Sequence, residues 1–293
     1  MPYCASCGKE IEEEARFCSY CGKAVGGVTR ELKTEEIDVP YPEAASARLE
    51  IEIRSAGRVN VSGGAEGSFI DGTVEYDIPE MAPRIDISGD RVRVVQARRF
   101  WDNVRTNPIN RWELRLGDGK PFTMDVKCGV SMGRWELGGL PITDLRLEAG
   151  VSNNVVTFES PNPERMERIK LGAGAGDLEI LGLLNSNFDR MKVEGGVGEV
   201  RLGFSGKTLD HDALVEIGGG VGSYRITVDE AVPVRARVEG MVSVTALGGF
   251  RKMSRGRFPL GGEYTNEAYE ASKGPALELD ITMGVGSVTL DTL

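Results

Sequence analysis

From about residue 46 onward, apolar and polar positions alternate along the chain, the period-two signature of half-buried β-strands. In KVEGGVGEVRL (192–202) the alternation changes phase at glycine. Met191, Val193, Gly195 and Val197 share one parity, whereas Val200 and Leu202 take the other. The same switch runs from Ile169, Leu171, Ala173 and Ala175 to Leu178 and Ile180, from Val221 to Tyr224 and Ile226, and from Val285 to Val288 and Leu290. Two earlier copies carry two extra residues, Val130 before Trp135 and Leu137, and Val151 before Val156 and Phe158, which leaves the switch intact. Successive strand residues face opposite ways, so a parity change held across copies predicts a bend at glycine that keeps the apolar side inward. On this reading Val193 and Val197 face inward on one side of the bend, and Val200 and Leu202 on the other.

The glycine motifs begin at Gly129, Gly150, Gly174, Gly196, Gly220, Met241 and Gly284, in steps of 21, 24, 22, 24, 21 and 43 residues. A period near 22 predicts stacked repeats of two short strands each, and the last step reads as two repeats with one copy degraded or replaced. RSAGRVNVSG (54–63) is a fainter copy, its preceding Leu49, Ile51 and Ile53 one position out of step. Asp71-Gly72 and Ser88-Gly89-Asp90 read as hairpin turns. The fold class is therefore all-β: a β-solenoid-like stack over 46–293, hairpin-rich in 46–116 and repetitive in 117–293, with at most a short helix near 264–271. Open β edges at the ends of such a stack would favour a homo-oligomer.

Residues 1–24 follow another pattern. Cys4 and Cys7 form one C-x2-C pair, Cys18 and Cys21 a second, and each pair is followed by Gly-Lys. Two such knuckles supply four sulfurs to one tetrahedral ion, and the glycine after each pair can take the positive φ of the turn. One structural Zn2+ held by Cys4, Cys7, Cys18 and Cys21 is the expectation, since a segment this short has too little apolar area to fold alone. A redox pair of disulfides is the competing reading. The loop KEIEEEAR is acidic, which disfavours nucleic acid and favours a protein partner. Residues 25–45 mix charge, Gly and Pro and read as a linker, with room for one short strand at its end.

Composition narrows the function. The 293 residues carry a net charge of −10, which excludes bulk electrostatic binding of nucleic acid. The longest uncharged run, 240–250, is too short to span a membrane, and the N-terminus lacks the pattern of a signal peptide, so the expected location is the cytoplasm. Gly172-Ala173-Gly174-Ala175-Gly176, SGKT (205–208) and Gly129-Val130-Ser131-Met132-Gly133 imitate nucleotide-binding and nucleophile motifs. Each is better explained by its place in the repeat or lacks a required residue, and His211, the single histidine, reads as a solvated loop residue. Cys128 lies in the apolar phase and reads as a small core residue. No enzyme is expected.

Two segments are locally basic. The stretch 91–115 includes Arg98, Arg99, Trp101 and Arg105, and 251–258 includes Arg251, Lys252 and Arg255. Arginine beside aromatics could grip an anionic polymer or lipid surface. Alternating arginine is also how an edge strand blocks aggregation.

The segment YCASCGKEIEEEARFCSYCGK resembles the short zinc ribbon at the N-terminus of many bacterial proteins, which implies zinc but no activity. The stretch from Trp112 to Val228, with RWELRLGDGKPFTMDVKCGVSMGRWELGGL at its start, resembles the bacterial toast-rack domain, related to the C-terminal part of LiaF-type cell-wall-active antibiotic response proteins and to adhesin-like β-repeat domains. That resemblance covers roughly 46–293. It implies a stacked β architecture and an interaction or regulatory role, including in the cell-envelope stress response, and no catalytic residues.

Overall fold

The computed structural model describes residues 3–4, 6–12, 17–23, 31–54, 57–96, 108–255 (the Arg255 side chain aside) and 261–293. They form two compact units, Met1–Leu32 and Lys33–Leu293.

The second unit is one hydrogen-bonded sheet of sixteen strands. In chain order they are β1 (Lys33–Val39), β2 (Ala47–Ile53), β3 (Gly57–Gly63), β4 (Ile70–Tyr76), β5 (Pro83–Ser88), β6 (Arg91–Gln96), β7 (Asn110–Leu116), β8 (Phe122–Glu136), β9 (Ile142–Thr157), β10 (Met166–Leu181), β11 (Phe188–Phe204), β12 (Ala213–Val228), β13 (Val234–Ala246), β14 (Arg251–Arg255), β15 (Gly262–Thr265) and β16 (Leu277–Thr292). β1 falls within the stretch expected as linker, where it pairs antiparallel with β4.

The repeats stack in parallel and in register. β8, β9, β10, β11 and β12 follow one another, so that Leu147, Leu171, Val193 and Ile217 form one inward row, and Val156, Ile180, Leu202 and Ile226 another. The parity switch is present: Met191 and Val193 are buried before the glycines, Val200 and Leu202 after them. A single apolar cluster runs from Ile37 to Leu290. Between strands, buried asparagines satisfy the loop backbone. The Asn162 amide donates to the Ile142 carbonyl at 2.7 Å, that of Asn185 to the Phe158 carbonyl at 2.9 Å, and that of Asn266 to the Val232 carbonyl at 2.7 Å.

The stack order departs from chain order at one place. β16 inserts between β12 and β13, pairing in parallel with both. Among the described residues, the 43-residue step has other elements in place of a copy. It holds the antiparallel pair β14–β15 and the short helix α1 (Glu267–Ala271), capped by Asn266, whose side-chain oxygen accepts the Tyr269 N–H at 3.0 Å.

The faint copy is also a full rung. β2 pairs with the first half of β8, ending at Ile53↔Cys128, and β3 pairs with the second half from Gly57↔Ser131. The chain takes four steps between Ile53 and Gly57 where β8 takes three, which is why the copy is one position out of step. β6 and β7 form the next layer outward, parallel to β2 and β3. Gly89 turns the β5–β6 hairpin at φ 60° as expected, but Asp71-Gly72 is no turn. It sits within β4 between β1 and β7, at a place where a Cβ on Gly72 would overlap the Glu113 carbonyl oxygen.

One expectation about the bend is overturned. Val197 does not face inward; it is 61% exposed, whereas Val193 is fully buried. Gly198, at φ 148°, turns the chain so tightly that a Cβ there would overlap the Gly176 carbonyl oxygen. Two residues earlier, a Cβ on Gly196 would overlap the Gly174 carbonyl oxygen, so the rungs meet backbone to backbone. The residue between the two glycine columns is left on the outside of the bend.

Candidate metal centre and candidate surfaces

In the first unit each C-x2-C pair closes a knuckle. The Gly8 N–H donates to the Cys4 carbonyl at 2.8 Å, and the Gly22 N–H to the Cys18 carbonyl at 2.9 Å. Gly8 and Gly22 take φ of 68° and 69°, the left-handed conformation that favours glycine. Lys9 and Lys23 each return a carbonyl to the N–H of Cys4 and Cys18, at 2.8 Å in both knuckles.

The four sulfurs converge, all within 4.8 Å of one another. Cys4 Sγ lies 3.7 Å from Cys21 Sγ, and Cys7 Sγ lies 3.5 Å from Cys18 Sγ. A tetrahedron with metal–sulfur bonds of about 2.3 Å has edges of about 3.8 Å, so the donor set fits one zinc ion. All four cysteines are free of disulfides.

The knuckle backbone prepares thiolates. N–H groups of Ser6 and Cys7 bring the Cys4 thiol down to about 6. Burial opposes ionisation of Cys18, yet the N–H groups of Tyr20 and Cys21 bring it down as well. Cys7 receives the Lys9 N–H, but burial and the three neighbouring sulfurs push it up to about 12. Four thiolates this close repel one another, and a divalent cation is what removes that repulsion.

In the second unit the enzyme-like motifs dissolve into the stack. Gly129–Gly133 lies within continuous β8, with none of the strand-turn-helix that a nucleophile elbow needs. Gly172–Gly176 lies within β10. Lys207 of SGKT is held by the Asn187 side-chain oxygen at 3.2 Å and by Asp210 at 2.9 Å. His211 is not a solvated loop residue. Its side chain is 18% exposed, with Nδ1 2.6 Å from Asp210 Oδ1 and Nε2 3.0 Å from the Phe188 carbonyl and 3.2 Å from Asp189 Oδ1. Both ring nitrogens are thus engaged, and neither serves Ser131, whose hydroxyl is buried. Cys128 is buried, and burial pushes its thiol up to about 12.

Of the expected interaction surface, Arg98, Arg99, Trp101 and Arg105 lie outside the described residues, as does the side chain of Arg255. Arg251 and Lys252 are exposed on β14, the last strand of the sheet path. Both are engaged within the chain: Arg251 donates to Glu267 at 2.6 Å, while Lys252 donates to the Gly261 carbonyl at 2.7 Å and sits 5.6 Å from the Tyr264 ring centroid.

The family model described as the N-terminal domain of toast_rack, DUF2154, matches residues 28–181, just over half of the chain. The chain belongs to the toast-rack family. A zinc-ribbon domain model matches residues 3–25, over the four cysteines. Among solved structures, the toast-rack chain is similar to a proposed cell adhesion protein from Clostridium sporogenes, with 21% identity, a TM-score of 0.50, and coverage of 90% of this chain and 100% of that one. A proposed adhesin from Bacteroides fragilis is 13% identical at a TM-score of 0.37, over 89% of this chain and 98% of that one. A proposed lipid-binding protein from Parabacteroides distasonis is 10% identical at 0.34, over 89% and 97%. The first of these likenesses supports the stacked β fold. Comparison with curated proteins gives no match.

Proposed function

We propose that this toast-rack chain is a non-enzymatic interaction or regulatory module, working in the cytoplasm and serving the bacterial cell-envelope stress response. Cys4, Cys7, Cys18 and Cys21 hold one structural Zn2+, and the ribbon docks a protein partner. The observation that carries this reading is that every enzyme-like motif is accounted for by packing. The glycines let the stacked backbones meet, and the one histidine is occupied by Asp210, Asp189 and the Phe188 carbonyl. The metal site supports it too, because four sulfurs fill a tetrahedron and leave no position for a substrate. The paired thiols suit a reducing compartment, and no helix among the described residues is long and apolar enough to cross a membrane.

The test is affinity capture from native extract with the full chain and with the Cys18→Ser, Cys21→Ser variant. A protein held by the first and lost from the second supports the reading. A turnover that disappears on changing a polar residue of the stack would overturn it. Native mass spectrometry should give the mass of the chain plus one zinc ion.

A second reading, binding of an anionic polymer or anionic lipid surface, draws on the exposure of Arg251 and Lys252 at the sheet edge. It predicts that heparin retention falls when Arg98, Arg99, Arg251 and Lys252 become Ser. Unchanged retention removes it.

A further inference from the structure

The residues left outside the bend form a line. Val130, Val151, Ala175, Val197, Val221, Val285 and Met241 are neighbours in register on β8, β9, β10, β11, β12, β16 and β13 in turn. All but Ala175 are large apolar side chains that stand exposed, from 48% at Val285 to 65% at Met241. At a strand spacing of about 4.8 Å, six steps make a straight ridge about 29 Å long. Exposed contiguous apolar surface of this kind marks an interaction site.

We propose that this ridge is the contact of a homodimer, two copies packed ridge against ridge and antiparallel about a two-fold axis at Val197, the central rung. This goes beyond the module proposed above and does not depend on its partner or its metal.

Three observations favour a second copy over other occupants. The first is spacing. The ridge repeats at the strand spacing and each of its residues follows a glycine, so the gaps between its side chains match another ridge of the same period. The second is area. A strip about 29 Å long, extending three strand residues (about 10 Å) to each side, removes about 580 Å2 per copy. The pair buries about 1,160 Å2, just above the roughly 1,000 Å2 that a specific interface needs.

The third is charge. Five residues before the ridge on β8 to β12 and β16, and four before it on β13, about 17 Å along the strands and so bordering the buried strip from outside, lies the row Asp125, Arg146, Lys170, Lys192, Glu216, Asp280 and Arg237, also in register. Its sign pattern reverses about the centre. An antiparallel two-fold sets Asp125 against Arg237 of the partner subunit, Arg146 against Asp280 of the partner subunit, and Lys170 against Glu216 of the partner subunit. Nearer the ridge, Lys127 faces Glu239 of the partner subunit. Within each chain these groups also pair with a neighbour, Asp125 with Lys127 at 3.6 Å, Arg146 with Glu148 at 2.7 Å, Lys170 with Glu148 at 3.4 Å and Asp280 with Arg237 at 3.4 Å, as do Lys192 and Glu194, the like charges that meet on the axis, at 2.8 Å. Such a rim selects orientation and register, because the wrong alignments set like charges together.

The test uses the full chain. Sedimentation velocity should show a monomer–dimer equilibrium, and Val197→Asp should weaken dimerisation at least tenfold with an unchanged circular-dichroism spectrum and melting point. Val197→Cys should cross-link to itself under mild oxidation, with the 197–197 bond found by mass spectrometry. Val130→Cys should not cross-link to itself, but should cross-link to a Met241→Cys chain. A chain that stays monomeric to about 1 mM overturns the proposal. So does a Val130→Cys chain that self-links as readily as Val197→Cys, or vesicle binding through the ridge by a monomer, which would make the occupant lipid.

Discussion

Residues 3–23 and residues 33–293 are held together by opposite means. The buried apolar cluster of the first is Cys4, Ile11 and Cys18, so two of its three members are sulfurs of the metal centre. In the second, a single apolar cluster runs from Ile37 to Leu290, and the glycines of the stack bring the rungs into backbone contact. One region has its chemistry where its core should be; the other has an extended apolar core. The contrast teaches that cysteine and glycine, both abundant in motif-like clusters here, mean different things when the surrounding residues can or cannot bury apolar area.

Metal removal breaks the comparison hardest. Chelation, or Cys18→Ala, should unfold residues 3–23 completely, since binding free energies of about 10–16 kcal/mol are folding free energy for such units. The stack should melt as before. Limited proteolysis with calorimetry reads both regions at once, and a stack transition that shifts with chelator would show that the two are not independent.

The reverse experiment is Gly198→Val. The left-handed φ and the overlap with the Gly176 carbonyl allow no β-branched side chain, so the stack should lose about 3 kcal/mol or more. Chemical denaturation measures the loss, and zinc content should not change. A wild-type midpoint would mean that the bend has slack the glycine columns do not show.

These two predictions rest on features that the sequence carries directly. Spacing alone places four sulfurs, because two residues between cysteines close one turn whatever surrounds it. The parity switch likewise reports the bend, since Met191, Val193, Val200 and Leu202 have to be buried somewhere. Period two cannot say at which residue of Gly-Val-Gly the chain crosses from one face to the other, and so Val197 reads as buried when it is exposed. That depends on φ at Gly198, which a glycine permits but does not dictate. Nor could repeat spacing place β16 between β12 and β13, because strand order is decided by which edge is open when the chain returns. The pairing of His211 with Asp189 is illegible for the same reason: it joins side chains on consecutive stack layers, 22 residues apart.

A matched pair sharpens the reading of the bend. Val193 and Val197 lie four residues apart on β11, one fully buried and the other 61% exposed. Val193→Ala should destabilise the stack by about 2 kcal/mol through lost transfer free energy and a cavity. Val197→Ala should stay within about 0.5 kcal/mol in the monomer. Denaturant midpoints of the two variants at low protein concentration make the comparison, and equal losses would return Val197 to the core.

The smallest effect separates the regions by the state of a single thiol in each. Cys4 is drawn down to about 6 by knuckle N–H groups, whereas burial raises Cys128 to about 12. Chelation removes the knuckle and with it the N–H groups that lower Cys4, so at pH 7.5 a chelated chain should be alkylated by iodoacetamide at all four ribbon cysteines together and spared at Cys128, with peptide mass spectrometry reading the order. The sign for stability follows from the same values. Cys128 is raised above its ordinary value of 9.0, so its neutral form is favoured in the folded stack. That contribution is complete below about pH 9 and declines as pH rises toward about 12. Cys128→Ala should remove this alkaline loss while leaving the metal centre untouched; an unchanged alkaline decline would place its cause elsewhere, for which Tyr76, also pushed up to about 12 by burial and its bond to Glu35, is the next group to change.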